Sequence, residues 1–193
     1  MRKGWVQRWR AARADRERGA VLVEAAIMIP LVLGLTFGMI EYGFAFNEQG
    51  TVRAGTRTAA RASSAVPSAT TADFYEAALS TLDTSVHNLA NGRADEVWIY
   101  QAEEVGGNFQ KPATCGVANC VTFKYVGDPD TGSFSRTPLG DTWDPGERHA
   151  CDPADTDRVG VYLVVEHTFL TEVRTLNLTS NTIMALEPSP AGC

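Results

Sequence analysis

The longest apolar run in the chain, Ala25–Ile40 (AAIMIPLVLGLTFGMI), has sixteen residues and no charge. As a helix it spans about 24 Å, short of the roughly 30 Å hydrocarbon thickness of a bilayer. Beginning the helix at Ala20 gives about 31 Å, and extending it to Phe46 gives about 40 Å. Either extension brings a carboxylate, Glu24 or Glu41, to the edge of the lipid. Residues 47–64 (NEQGTVRAGTRTAARASS) hold no breaker except Gly50 and Gly55, so the helix is expected to run on until Pro67 ends it. That makes one helix of about 45 residues. Arg53, Arg57 and Arg61 recur every four residues on it and form a basic stripe, either a solvated face or one that meets an acidic surface.

A second helix is predicted where Tyr75, Ala78, Leu79, Leu82, Val86 and Leu89 repeat at helical spacing, with Thr71 as N-cap and Gly92 as stop. His87 beside that stripe reads as a satisfied or solvent-facing histidine. Beyond it the period changes. Val97–Tyr100, Val121–Val126, Val159–Leu170 and Leu176–Leu186 are β-branched and aromatic and read as about four strands. Helices followed by strands indicate an α+β fold with an antiparallel sheet. Residues 127–158, with four prolines, four glycines and seven aspartates, read as a long polar surface loop. The expected organisation is a leader over 1–19, a transmembrane helix over 20–46, its extension over 47–66, and an extracytoplasmic α+β domain over 67–193 containing acidic loop 127–158.

Charge changes this picture. The formal net charge is −6 over 193 residues, but residues 1–19 carry seven Arg or Lys against Asp15 and Glu17, a net +5. The remaining residues hold 10 basic and 21 acidic side chains, a net −11. Such a charge argues against nucleic acid as a partner, since phosphate binders need a basic footprint. The basic head fixes the orientation of a membrane helix with its N-terminus cytoplasmic and the C-terminal domain outside. A cleaved signal peptide fits poorly, because Glu41-Tyr42-Gly43-Phe44-Ala45-Phe46 after the apolar core is bulky rather than small.

At the junction, Arg18-Gly19 precedes Ala20-Val21-Leu22-Val23-Glu24. A glycine followed by an acid five residues on, at the cytoplasmic edge of an apolar helix, resembles a type IV prepilin cleavage site, where a membrane peptidase cuts after the glycine. Residues 20 and 24 are i and i+4 and share a helix face. An amine freed at Ala20 can therefore pair with Glu24, or Glu24 with the amine of a neighbour; a carboxylate in a membrane helix generally has such a partner. The resemblance extends through Ile27-Met28-Ile29-Pro30, through Gly38-Met39-Ile40-Glu41-Tyr42-Gly43 and through the Ala/Arg-rich Arg53–Ala62 to the TadE-like family, pseudopilins of the tight-adherence (Tad) pilus system. Asn181–Pro188 is similar to that family's closing strand. Ala25 replaces the aromatic often found after the glutamate, and Phe44 stands where an arginine is frequent.

The resemblance implies a membrane-anchored minor pilin cut between Gly19 and Ala20, with Glu24 and Glu41 concerned in assembly. Its implied partners are a prepilin peptidase, other pilins or pseudopilins, the Tad inner-membrane assembly platform and the lipid bilayer, and its implied layout is a long helix laid on an antiparallel sheet. An uncleaved single-pass protein with a ligand- or partner-binding ectodomain is the alternative. Pro30 removes one helical hydrogen bond, which membrane helices tolerate, and Gly34 and Gly38 match a small-xxx-small packing face or fall there by chance.

Cys115, Cys120, Cys151 and Cys193 all lie beyond the apolar run, in the part assigned outside, and imply disulfides with three possible connectivities. Pairing Cys115 with Cys120 and Cys151 with Cys193 is preferred. A zinc site from Cys115, Cys120, His149 and Cys151 fits poorly in spacing. Asp130-Thr131-Gly132 resembles an aspartic-protease triplet without its apolar strand or second copy, and Asp128, Asp130, Asp152, Asp155 and Asp157 fit no full calcium loop. No catalytic constellation, cofactor motif or metal cluster is expected.

Overall fold

A computed structural model describes residues 3–90, 92–116, 119–152, 155–169 and 175–188, with side chains of the first helix described from Gly19 onward. The chain divides into two compact units, Met1–Gly43 and Phe44–Cys193. Helix α1 (Lys3–Ser64) has 62 residues and contains Pro30 in its interior. It begins well before Ala20, because the leader is rich in Arg and Ala, both strong helix formers. In the first unit every large apolar side chain from Val21 to Ile40 is exposed. A helix apolar on all sides is one that lipid, rather than protein, covers.

The second unit is built from the last turns of α1, helix α2 (Thr71–Val86) and an antiparallel sheet. The strands are β1 (Gly92–Gln101), β2 (Glu103–Val105), β3 (Asn108–Gln110), β4 (Cys120–Val126), β5 (Ser133–Phe134), β6 (Leu139–Gly140), β7 (Arg158–Thr168) and β8 (Thr175–Ala185). The main order is β5-β4-β1-β7-β8, with β6 also on β4, while β2 and β3 pair as a separate hairpin. The α+β fold is thus as the sequence predicts, but the sheet has six strands rather than about four. Two-residue strands such as β5 and β6 leave no alternation to detect.

Val97, Ile99, Val121, Phe123, Val159, Val161, Leu163 and Val165 line one sheet face and share a core with Phe74, Tyr75, Ala78, Leu79, Leu82 and Val86 of α2. Each such side chain contributes about 1.5–3 kcal/mol relative to exposure. The N-cap of α2 is Thr70, one residue earlier than expected, because its hydroxyl accepts from the Asp73 N–H at 3.2 Å and donates to the Asp73 carboxylate at 2.7 Å. Gly92 does not stop α2, which ends at Val86; it belongs to β1. A Cβ there would lie 2.9 Å from Glu48 Oε2 and 3.0 Å from Val165 Cγ1. Close approach, not a turn, calls for that glycine.

What it makes room for is a buried pair. Glu48 on α1 and His167 on β7 are 1% and 0% exposed and hydrogen-bond through Oε2 and Nδ1 at 2.6 Å. Farther along α1, Thr56 Oγ1 meets Ser180 Oγ at 2.9 Å and Thr182 Oγ1 at 3.1 Å, and Gln49 donates to Thr179 O at 3.1 Å. The helix therefore meets β8 through a hydroxyl seam rather than through apolar ridges.

The 127–158 segment departs from the expected surface loop. Phe134 and Trp143 are 1% and 0% exposed, and Arg148 is buried beside them. Arg148 donates from Nε and Nη2 to Trp143 O, and from Nη1 to Pro67 O and Ala69 O. Its guanidinium also lies 4.0 Å from the centroid of Phe74. Burial lowers its pKa. Trp143 N–H donates to Tyr75 Oη at 2.8 Å, and burial raises the pKa of that phenol. One cation thus sews the loop to the turn between the helices, which a proline- and aspartate-rich composition does not reveal.

Removing either member of the Glu48–His167 pair breaks a buried, short polar contact. Glu48→Ala or His167→Ala is expected to cost about 3 kcal/mol or more, with the double variant falling short of the sum, as measured by denaturant melts of the full chain in detergent. Arg148→Lys keeps the charge but cannot reach three carbonyls in one plane; a loss of about 2 kcal/mol in the same melts is expected.

Candidate functional site

The residues singled out at the N-terminus lie on one helix. Gly19, Ala20 and Glu24 are exposed in α1, and a Cβ built at Gly19 meets nothing within 4 Å. Nothing inside the chain therefore requires glycine at that position. Glycine costs a helix about 1 kcal/mol relative to alanine. Ala20 and Glu24 remain one helical turn apart on a shared face.

Gly34 and Gly38 also have no neighbour within 4 Å, so their small face is open. Thr36 Oγ1, between them, donates to Val32 O at 2.8 Å and so satisfies its hydroxyl within the helix. Glu41 falls in α1 at the end of the first unit. The segment Gly19–Ser64 is long and apolar enough to cross a membrane, with a mean hydropathy of 2.3 in its most apolar window and none of that window buried by protein. It reads as a single-pass membrane anchor.

The cysteines form a separate group. Cys115 and Cys120 are joined by a disulfide with an S–S distance of 2.02 Å, closing the turn that leads into β4. Cys151 is disulfide-bonded as well. Cys193, its preferred partner from the sequence, lies outside the described residues. With these sulfurs oxidised, the zinc arrangement with His149 has no thiolates to offer.

The remaining chemical motifs are structural. In Asp130-Thr131-Gly132, the Thr131 and Gly132 N–H groups donate to Asp128 O in a turn, and His87 Nε2 donates to Gly132 O at 2.7 Å. Asp157 accepts from Gln101 Nε2 and from His149 N, both at 2.7 Å, and Asp144 accepts from Thr71. Among the described residues no three His, Cys, Asp or Glu side chains are grouped to hold a metal ion.

Sequence reasoning overlooked Glu48 and His167. A signal existed, since Glu48 interrupts the stripe Ala45, Val52, Thr56, Ala59, Ala60 and Ser63 that turns out to be the buried side of the helix. A charge in such a stripe announces a buried partner.

Comparison with known families gives one match, to the family described as TadE-like protein, over residues 19–61. That span starts at Gly19 and takes in the apolar run and most of the Ala/Arg-rich extension. No curated protein and no solved structure matches the chain.

Two outcomes follow from this geometry. The full chain should stay with the membrane fraction through an alkaline carbonate wash, and a chain lacking residues 20–46 should not. Replacing Cys115 and Cys120 by serine should lower stability by about 2 kcal/mol, the modest value set by a short closed loop, in thermal melts of the detergent-solubilised protein.

Proposed function

We propose that this chain is a TadE-like minor pseudopilin: inserted with its N-terminus in the cytoplasm, processed after Gly19 by a prepilin peptidase, and used in assembly of a Tad-type adhesive pilus. The observation that carries this reading is a coincidence at Gly19. The glycine is the last residue of the +5 segment and the first residue of the TadE-like match, and the uncharged apolar run begins six residues after it. The +5 leader holds that end in the cytoplasm by the positive-inside rule, so the acidic head, net −9 over residues 44–193, faces out.

In the proposed processing step, water adds to the Gly19 carbonyl carbon and the bond to Ala20 N breaks. A carboxylate leaves on the +5 leader, and an amine remains on Ala20. That amine takes up the proton that the new carboxyl group gives up. Its charge lies one turn from Glu24, where it neutralises a carboxylate at the lipid edge, either in the same chain or across to a neighbour. The chain acts here as substrate and joint, and a catalytic role has no residues assigned to it.

One observation favours the alternative of an uncleaved anchor whose ectodomain binds a partner: α1 runs without a break from Lys3 through Gly19. N-terminal sequencing of the protein recovered from membranes, with a prepilin peptidase co-expressed, separates the two. A chain beginning at Ala20 is expected; an intact Met1 would sink the pseudopilin reading. Glu24→Ala is expected to leave cleavage largely intact while reducing surface pili, and unchanged pilus output would remove the pairing role.

A further inference from the structure

Most described cations of the head have a partner within it. Lys124 pairs with Glu96, Arg136 with Glu76 at 2.6 Å and Asp83 at 2.9 Å, and Arg148 with three carbonyls. Lys111 lies over the Trp98 and Tyr162 rings, and Arg158 over Phe109. Arg53, Arg57 and Arg61, and Arg93 on β1, are different. The three on α1 are exposed, and none makes an ion pair or hydrogen bond through its guanidinium with the described residues. At 100° per residue they follow one strip of the helix surface that flanks the buried strip of Val52, Thr56, Ala59 and Ala60.

The same head gathers negative charge at one end. Ala102 N–H bonds to Arg158 O, Leu186 N–H to Asp157 O, and Glu187 N–H to Ser64 O, the last residue of α1. The exit of β1, the start of β7, the exit of β8 and the end of α1 therefore meet. Glu103, Glu104, Asp155 and Glu187, which flank those contacts, are all exposed, and Asp157 lies between them. Five carboxylates gather at that end, with Arg158, His149 beside Asp157 and Arg61 in the last turn of α1 as the cations there, and the negative end of the α1 dipole adds to the carboxylates.

We propose that the Arg53–Arg57–Arg61 strip docks the acidic end of a second copy of this chain. The proposal rests on the pseudopilin reading for its biological setting only. A basic side and an acidic end on one molecule are complementary to each other but not to themselves. Reciprocal pairing of strip and end closes a two-fold dimer, whereas one-way pairing leaves a strip and an end free on each copy, and its repetition gives a ring or an open helical filament. Arg57, the middle of the strip, lies seven residues before Ser64, which staggers successive copies by about 10 Å along the helix. At −11 over residues 20–193, the chain itself is the source of acidic surface at hand. An attraction of this kind is screened as the Debye length shrinks from about 8 Å at physiological salt to about 3 Å at 1 M.

The test uses two fluorescently labelled pools of the full chain in detergent, read by energy transfer between them. Wild type should associate, and association should fall at least tenfold in 1 M salt and in the Arg53→Glu/Arg57→Glu/Arg61→Glu variant. A Glu103→Lys/Glu104→Lys/Glu187→Lys variant should fail alone in the same way. Mixing the two variants should restore association, because each then offers the other an opposite charge. A milder Arg→Gln triple variant, with near-ultraviolet circular dichroism showing the head intact, should weaken association and gain nothing in the mixture. Wild-type association in the charge-reversed strip variant, or no restoration on mixing, overturns the proposal. So does loss of binding to phosphatidylglycerol vesicles with energy transfer unchanged, which would assign the strip to lipid headgroups. None of these readings involves the peptidase. An uncut Gly19 would defeat the pseudopilin reading and leave this proposal standing, and the converse also holds.

Discussion

The head depends on one buried polar contact, that between Glu48 and His167. Most of what holds α1 over the sheet is small or hydroxylated: alanines at 45, 59 and 60, Thr56, Ser63, and the seam with Ser180 and Thr182. Small side chains let the helix lie close but bury little area, so they contribute little discrimination between one register and the next. A carboxylate that must find an imidazole 119 residues away does discriminate. Displaced by one turn, Glu48 would be buried against apolar strand residues with no donor, at a cost of several kcal/mol. Glycine at 92 is the other half of the arrangement, since any larger residue would occupy the space the carboxylate needs.

The two units obey opposite rules along a single helix. From Val21 to Ile40 the side chains are large, apolar and exposed on all sides, which suits a solvent that itself is apolar. From Ala45 to Ser63 they alternate between a buried strip of small residues and an exposed strip bearing arginines. The TadE-like match covers both kinds of segment and stops at residue 61, near the end of the helix. Within that span the features are those of the helix itself: its entry, its proline, its exit and its arginine-bearing extension.

How far these properties could be read from the sequence follows from the range over which each is determined. The apolar run, the α2 stripe and the long strands β4, β7 and β8 are set by local periodicity and stand close to where that periodicity puts them. The N-terminal candidates Gly19, Ala20, Glu24, Pro30, Gly34 and Gly38 could be named because they sit within twenty residues of each other. What could not be read is fixed at long range. Gly92 looked like a helix stop because its real neighbour, Glu48, is on another element. Trp143 and Arg148 looked like surface loop because the carbonyls that receive Arg148 come from residues 67 and 69. Composition averages over such contacts and so described 127–158 as polar, when its three decisive side chains, Phe134, Trp143 and Arg148, are inside.

The sealed position of Trp143 has an optical consequence. The chain has four tryptophans, two of them, Trp5 and Trp9, ahead of Gly19. Of the pair in the head, Trp98 is only part-covered, beneath Lys111, while Trp143 is shut away edge-on to Phe74. A chain that has lost its leader would carry indoles only in the head, one blue-shifted and one open to quenchers. The blue-shifted part of the intrinsic emission then becomes a report on the packing of the 127–158 segment, with no label added.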